Sequence, residues 1–491
     1  MCALFLLLLC LARPASACTE LAAGTRFWVR LTSPVSSYNA KPGMAVHGFL
    51  LDPPACENSA VLPVKIPVEG SVVSAHRVGL GLWHETARLQ LEFNRLLPPE
   101  TSPIEIHARV VLVDNAREEV KKGVIHGIRS TDTPQGTISS RLKYMPSLHL
   151  YPDPFLLGYK LLFPVFPEPE IYLGRGTDLE VEMSGATPLP ADLPVPATSP
   201  PTANLPELAD DLAGLPERTF TPKGKEADVV NLVFAGSHAE LEQAFAVAGW
   251  KQSDRVSRGS VRHSLYAFLV KRSYSTAPMT PQLLEDRSPE LTFEKTFDSY
   301  EKRDHLRIWS LPAGHEGEEL WAGAAVRETG ATLSITNKGF IHHVSPNLLD
   351  EQHVVVRDLV AVDCVDSIGA IARPEMGHIL LNATGEIFRT DGTLTVVYLK
   401  PCSPGPDGAN LHAENNYHPG SKPFRTARKW ILTVRSDLWR ANVLYGAFDL
   451  TRNTIQALHR NSLHRADLQD FRQSTQSSLR FESHAMSRPS E

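Results

Sequence analysis

The sequence predicts an α+β protein, with an N-terminal all-β barrel or sandwich domain ahead of a C-terminal mixed α+β domain. Three observations carry that expectation. Between residues 18 and 185, short runs alternate apolar and polar side chains at strand period, with Gly and Pro between them. Residues 186–225 are crowded with proline, at 188, 190, 194, 196, 200, 201, 206, 216 and 222, the composition of an extended, semi-rigid spacer. Residues 226–402 then mix helix-period and strand-period runs, the order of an α+β unit.

The chain begins with a segment that reads as a signal peptide, residues 1–17. Ala3 to Ala12 is continuously apolar, and Ala15-Ser16-Ala17 supplies an A-x-A cleavage site. The run is too short to span a bilayer, which takes about 20 apolar residues. The expectation is export, to the periplasm or outer envelope. Cys18 directly follows the cleavage site, so a lipoprotein anchored at Cys18 is the alternative. Removing the segment deletes Cys2 and Cys10 and leaves Cys18, Cys56, Cys364 and Cys402. An even set in an oxidising compartment favours disulfides, and their distribution suggests Cys18–Cys56 and Cys364–Cys402. With 42% hydrophobic and 21% charged residues, the 491-residue chain has globular composition. Its net charge of -6 gives no global basic field, which argues against a nucleic-acid partner.

The first domain, residues 18–185, opens with strand candidates at 25–31, 44–51, 60–66, 70–78, 87–93 and 104–113, a spacing that suits a sandwich or barrel. Val113 to Val120 reads as a short polar turn or helix between strands, and a solvated turn with a local ion pair is expected ahead of a site formed by Asp114, Arg117 and Glu118. Gly24-Thr25 and Gly176-Thr177 each open an alternating run, and the polar faces carry opposite charge: Arg26 and Arg30 against Asp178, Glu180 and Glu182. Opposite charges favour cross-strand pairing, so these two runs are predicted to be neighbours. An aromatic and proline-rich stretch, 129–169, lies between them. It is expected to pack over a barrel mouth.

Beyond the spacer, which should let the halves move somewhat independently, Val229 to Phe234 reads as a buried strand. Ser237 and Glu240 form a capping box. The helix they start carries Leu241, Ala244, Phe245 and Ala248 and stops at Gly249. A second helix is expected over 261–271, and strands over 291–295, 305–311, 320–327 and 331–336. A hairpin is expected over 386–399, turning at Asp391-Gly392. Residues 403–491 form a basic helical segment and a polar tail. Its middle, 428–459, is expected to pack back on the second domain, with contact to an anionic membrane surface through Trp430 and Trp439 as the alternative.

Several short motifs occur in one order: Asn231 to Ser237, Ala248-Gly249-Trp250, Asp304 to Trp309, Trp321 to Ala325, His342 to Pro346, and Arg357-Asp358. Together, over residues 226–370, they resemble the LssY C-terminal domain. That resemblance implies an address: such domains are joined to lipid-phosphatase-like or DedA-like membrane segments in proteins named for a type I secretion locus. It implies no mechanism. The first domain, with its Gly-Thr-led strands and Leu62-Pro63 ahead of Gly70-Ser71-Val72, distantly resembles a TrbI-like β-barrel. The proline-rich stalk and inner-membrane helix of those channel proteins are missing, so a channel role is not implied.

Candidate binding residues are His305, Arg307, His342, His343, Asp350 and Arg357. His342, His343 and Asp350 are the candidate metal ligands, because imidazole and carboxylate suit zinc or another divalent ion. The chain has no H-x-x-x-H or H-E-x-x-H spacing, no G-x-S-x-G, no P-loop and no C-x-x-C. Adjacent histidines on a strand also point to opposite faces. On a helix over 347–365, Asp350, His353 and Arg357 share a face, and Leu348, Val355, Leu359 and Val362 share another. The leading expectation is an exported envelope protein that binds or scaffolds, with no cofactor, facing an envelope protein or a lipid-linked ligand. The alternative is a metal-assisted hydrolase acting on a lipid-linked or phosphorylated substrate.

Overall fold

A computed structural model of the chain describes residues 20–129, 167–190, 200–403 and 420–440 apart from scattered positions within those spans, and isolated positions between 451 and 462. The signal segment, Cys18, the side chain of Cys56, most of the aromatic stretch and the polar tail lie outside the described residues. The expected Cys18–Cys56 bridge therefore does too.

The chain is mostly β, with a closed six-stranded barrel in its N-terminal region. The barrel strands are β1 (Arg26–Leu31), β2 (Ala45–Leu50), β3 (Pro67–His76), β4 (Arg88–Leu96) and β5 (Ile104–Val113). Two short strands, β6 (Glu119–Lys121) and β7 (Val124–His126), extend the sheet beside β4, and β8 (Asp178–Met183) completes the barrel. Hydrogen bonding runs β3-β2-β1-β8-β5-β4 and returns to β3. Phe27, Val29, Leu91, Phe93, Ile106, Val110, Leu179 and Val181 fill the interior, as period-two alternation requires. Gly70 sits at a bulge between β3 and β4, where a Cβ would lie 2.5 Å from the Glu92 carbonyl oxygen. Only a residue without a side chain lets the strands approach that closely.

The charge argument for neighbouring strands holds. In the β1–β8 pair, Arg30 lies opposite Asp178 and Arg26 opposite Glu182.

The proline-rich region is shorter as a spacer than its composition implied. Helix α1 (Pro206–Asp211) forms within it, and Leu208 and Leu212 pack against Val233, Ala235 and Val396 of the second unit. That unit continues with β9 (Arg218–Phe220), β10 (Glu226–Val229), β11 (Leu232–Ala235), helix α2 (His238–Val247), β12 (Lys251–Gln252) and helix α3 (Arg258–Val270). Next come β13 (Leu291–Thr296), β14 (Arg303–Ser310), β15 (Leu320–Ser334), β16 (Gly339–Val344) and helix α4 (Leu348–Ala361). The last strands are β17 (Val365–Ala372), β18 (Ile379–Leu381), β19 (Ile387–Arg389) and β20 (Thr393–Leu399). The main sheet runs β12-β13-β14-β15-β11-β20-β17, with β16 paired to β15. The β11–β20 pair is parallel. Strand β11 is buried on both faces. Leu232 and Phe234 meet α2 and α4 on one side, and Val233 and Ala235 meet α1 on the other.

The capping box at Ser237 and Glu240 is present, and Gly249 ends that region in the left-handed conformation at φ 89°. The expected 386–399 hairpin is not formed. The turn at Gly392 exists (φ 76°), but β19 pairs with β18 and β20 pairs with β17 and β11. Pairing with the central strand buries Val396 and Val397, which a local hairpin would not do. Cys364 and Cys402 are joined in a disulfide. The basic segment forms helix α5 (Lys422–Arg440), and it packs on the barrel rather than on the second unit. Leu432 enters the barrel core, and Arg428 pairs with Glu168 and Glu170.

Candidate functional site

Helix α4 lies where the central segment of the sequence pointed. Leu348, Val355, Leu359 and Val362 are buried, as their spacing predicted. Asp350 and Glu351 occupy the first turn, where the helix dipole favours an acid. Their surroundings differ. Asp350 is exposed, whereas Glu351, Arg357 and Asp358 are buried. Glu351 meets Arg327 of the second unit's own sheet, while Arg357 and Asp358 meet the barrel.

That meeting is a buried ionic seam. Arg30 on β1 donates from Nε and Nη2 to both carboxylate oxygens of Asp178, at 2.7 and 2.8 Å. The same Nη2 donates to Asp358 Oδ1 at 2.7 Å. Asp358 Oδ2 accepts from Lys295 Nζ at 2.7 Å and from Trp250 Nε1 at 3.1 Å. Arg357 Nη2 reaches across to Asp178 at 3.1 Å, and its guanidinium lies 5.1 Å from the Trp28 ring centre. At the rim, His353 and Arg357 approach Asp52 at 3.2 and 3.8 Å. Arg357 thus pairs with the barrel and not with Asp350.

A second group continues the seam. Asp114, at the end of β5, accepts from Lys302 Nζ at 2.6 Å and from Arg327 at 3.3 Å. Arg327 also holds Asp304 in a two-point contact at 2.7 and 2.9 Å, and its Nε lies 3.3 Å from Glu351. The turn that read as solvated is therefore an anchor. Between the groups lies a crevice of about 10 Å³, lined by residues that include Thr177, Asp178, Lys295 and Phe297, with room for roughly one water.

The electrostatics follow from burial and pairing. Burial alone would raise the Asp358 carboxyl, but Lys295, Arg30 and Arg357 overcome it and hold the group below the usual carboxylate range. Asp114 is lowered in the same way by Lys302 and Arg327. Glu351 goes the other way. Burial and the neighbouring Asp304 carboxylate push it well up, and among the described residues neither of its oxygens accepts a hydrogen bond. Arg30, Lys295 and Arg357 face Asp52, Asp178 and Asp358. Arg327 and Lys302 face Asp114 and Asp304, with Glu351 a further carboxyl beside Arg327. Removing one partner from such a buried pair strands a charge and costs about 3–5 kcal/mol. The arrangement therefore fixes the barrel against the second unit, and the expected independence of the halves is not what the contacts show.

The remaining candidates lie elsewhere. His305 and Arg307 are buried under the other face of the sheet. His305 sits 3.1 Å from Glu328 and 3.6 Å from Glu294, both also held by Arg303. Burial pushes its imidazole down, yet Glu328 and Glu294 carry the net shift upward. Arg307 Nη1 donates to Asp228 at 2.8 Å. His343 is exposed on β16, and its Nδ1 lies 2.7 Å from Glu386. The His342 side chain lies outside the described residues. Among the described residues, no three His, Cys, Asp or Glu side chains are grouped so as to hold a metal.

The fold and seam define a class: a closed β-barrel joined to an α+β unit through paired buried charges. Residues 212–394 match the family described as LssY C-terminus, which extends the sequence resemblance at both ends. A solved structure, ComB10 of the Com type IV secretion system of Helicobacter pylori, shows weak similarity over the N-terminal part at 11% identity and a TM-score of 0.21. The match covers 35% of this chain and 93% of that one, and at that score it carries no argument. No curated protein matches the chain. No helix among the described residues is long and apolar enough to cross a membrane.

Proposed function

We propose that the protein is exported to the cell envelope and acts there as a binding or scaffolding protein associated with the envelope or with secretion. The observation that carries this reading is the seam. The acids and bases gathered at the centre of the molecule neutralise one another across two units. That construction makes a rigid two-part platform, whereas a proton-transferring site keeps a titratable group open to substrate. The Cys364–Cys402 disulfide supports an oxidising compartment, and the LssY C-terminus match supports the envelope context. Peripheral membrane contact through 428–459 belongs to the same reading, because Phe424, Trp430, Ile431 and Val434 are exposed along α5.

Osmotic-shock fractionation of the full chain, with alkylation and mass spectrometry of its thiols, tests the location. A processed protein with oxidised Cys364 and Cys402 in the envelope fraction supports it, and a reduced, unprocessed cytoplasmic protein overturns it. Metal analysis addresses the hydrolase reading. Stoichiometric zinc that His343→Ala removes would replace scaffolding with catalysis.

A further inference from the structure

Where β4 begins, the barrel surface gathers positive groups that the seam does not use. A concave pocket of about 440 Å³ is lined by His84, Glu85, Thr86, Arg88 and Arg129. That volume lies within the range of small-ligand sites. Among the described residues the one carboxylate in the lining, Glu85, is engaged by Arg129 Nε at 3.1 Å. Arg88 is exposed and makes no ion pair among the described residues.

The groups beside Arg88 sharpen the point. Directly opposite it in the sheet lie His76 on β3 and His126 on β7. Opposed residues share a sheet face. The next residue in that row, Glu119, pairs with Lys121 at 2.7 Å. Burial lowers the His126 imidazole, Arg88 and Lys121 lower it further, and Glu119 opposite it offsets part of that shift. Glu119 and Lys121 balance each other, so Arg88 is the charge of the row without an ion-pair partner among the described residues, a condition that a bound anion relieves.

The loop that supplies His84 is held in place. Gly79 N donates to the His84 carbonyl at 2.8 Å. His84 itself is left-handed, at φ 61°, a conformation unfavourable for a residue with a side chain. From α5, Arg435 donates to the carbonyls of Gly79, Gly81 and Glu85. Strained backbone braced by a buried guanidinium is the construction of a positioned loop, not of a solvated bend.

We propose that this pocket binds a phosphomonoester, with the exposed Arg88 as the guanidinium fork, Arg129, already held by Glu85, as a neighbouring positive charge, and His84 and Thr86 as additional donors. Planar forks match phosphate oxygens in pairs, and the cavity exceeds what the phosphate alone would fill. The inference stands apart from the envelope reading, because a soluble probe tests it in a purified protein.

Full-length protein is titrated calorimetrically with glycerol phosphate at low salt. In parallel it is sedimented with phosphatidylcholine vesicles with and without phosphatidic acid. Saturable binding is expected, weakened about tenfold or more by Arg88→Ala, partly retained by Arg88→Lys, and reduced by added salt. Arg88 is exposed, so the thermal midpoint of Arg88→Ala should match wild type, which separates lost binding from lost fold. Binding of glycerol phosphate alone identifies a soluble ligand, and binding that also requires phosphatidic acid in the vesicles identifies a lipid headgroup. Absence of saturable binding to either probe overturns the proposal. So does wild-type affinity in Arg88→Ala.

Discussion

Replacing Asp358 with Asn is the sharpest test of the seam. The substitution keeps the shape and removes one charge. Asp358 is fully buried and accepts from Arg30 at 2.7 Å, Lys295 at 2.7 Å and Trp250 at 3.1 Å. Without it, the nearest seam carboxylate to Lys295 is Asp178, at 3.7 Å. Breaking a buried pair from one side costs about 3–5 kcal/mol. At about 2.1 cal/mol/K of unfolding entropy per residue, a body of roughly 400 residues shifts by about 1 °C per kcal/mol. Calorimetry should therefore show the midpoint falling by about 3–5 °C. Wild type is expected to unfold in one transition, and the variant's should separate into two as the barrel and the second unit lose their coupling. Adding Lys295→Met should cost less than the sum of the two changes. As a control, Arg26→Ala, in an exposed pair with Glu182, should leave the transition in place. An Asp358→Asn protein with one unchanged transition would refute the view that the seam couples the units.

The pH dependence has two signs. Asp358 and Asp114 are depressed in the fold, so their stabilisation is present above an unfolded value of about 3.9 and drains away as pH falls through the folded values. Glu351 is raised, so the fold holds its proton. Its cost is absent below about 4.3 and grows as pH rises towards the folded value. Glu351→Gln should therefore be more stable than wild type at pH 8 and nearly equal at pH 4, measured by urea unfolding, and identical pH slopes would contradict the assignment. Cys402→Ser should cost about 2–4 kcal/mol, read as a lower urea midpoint that matches wild type under reductant. Leu432→Ala, at a fully buried position of α5, should cost about 2–5 kcal/mol. It should also expose α5 to limited proteolysis before the barrel unfolds, and an unchanged cleavage pattern would argue against docking through that residue.

Local chemistry was legible and long-range chemistry was not. The β1–β8 pair could be read because both strands alternate and their polar faces carry opposite signs, so Arg30 found Asp178. The α2 capping box and the apolar stripe of α4 could be read because each depends on spacing within one element. The seam could not. A helix face bearing Glu351, Arg357 and Asp358 has the pattern of a solvated surface, and only the barrel and the sheet behind it show that the charges are buried. Asp114 was misread for the same reason, since Lys302 and Arg327 lie far away in sequence. Its signal was available only as a surplus of acids and bases at the ends of alternating strands. The docking of helix α5 on the barrel is not legible either, because nothing in its periodicity says which core receives Leu432.

The location of the seam bears on what chain continuity does for this molecule. The partners of Asp178 come from residues 30, 295 and 357, on both sides of the spacer. A nick between 191 and 199 would therefore leave two fragments that each retain the other's counter-ions, and they should elute together. The covalent link sets local concentration during folding, while register between the pieces is written in the contacts. Two separately encoded fragments should accordingly reassemble.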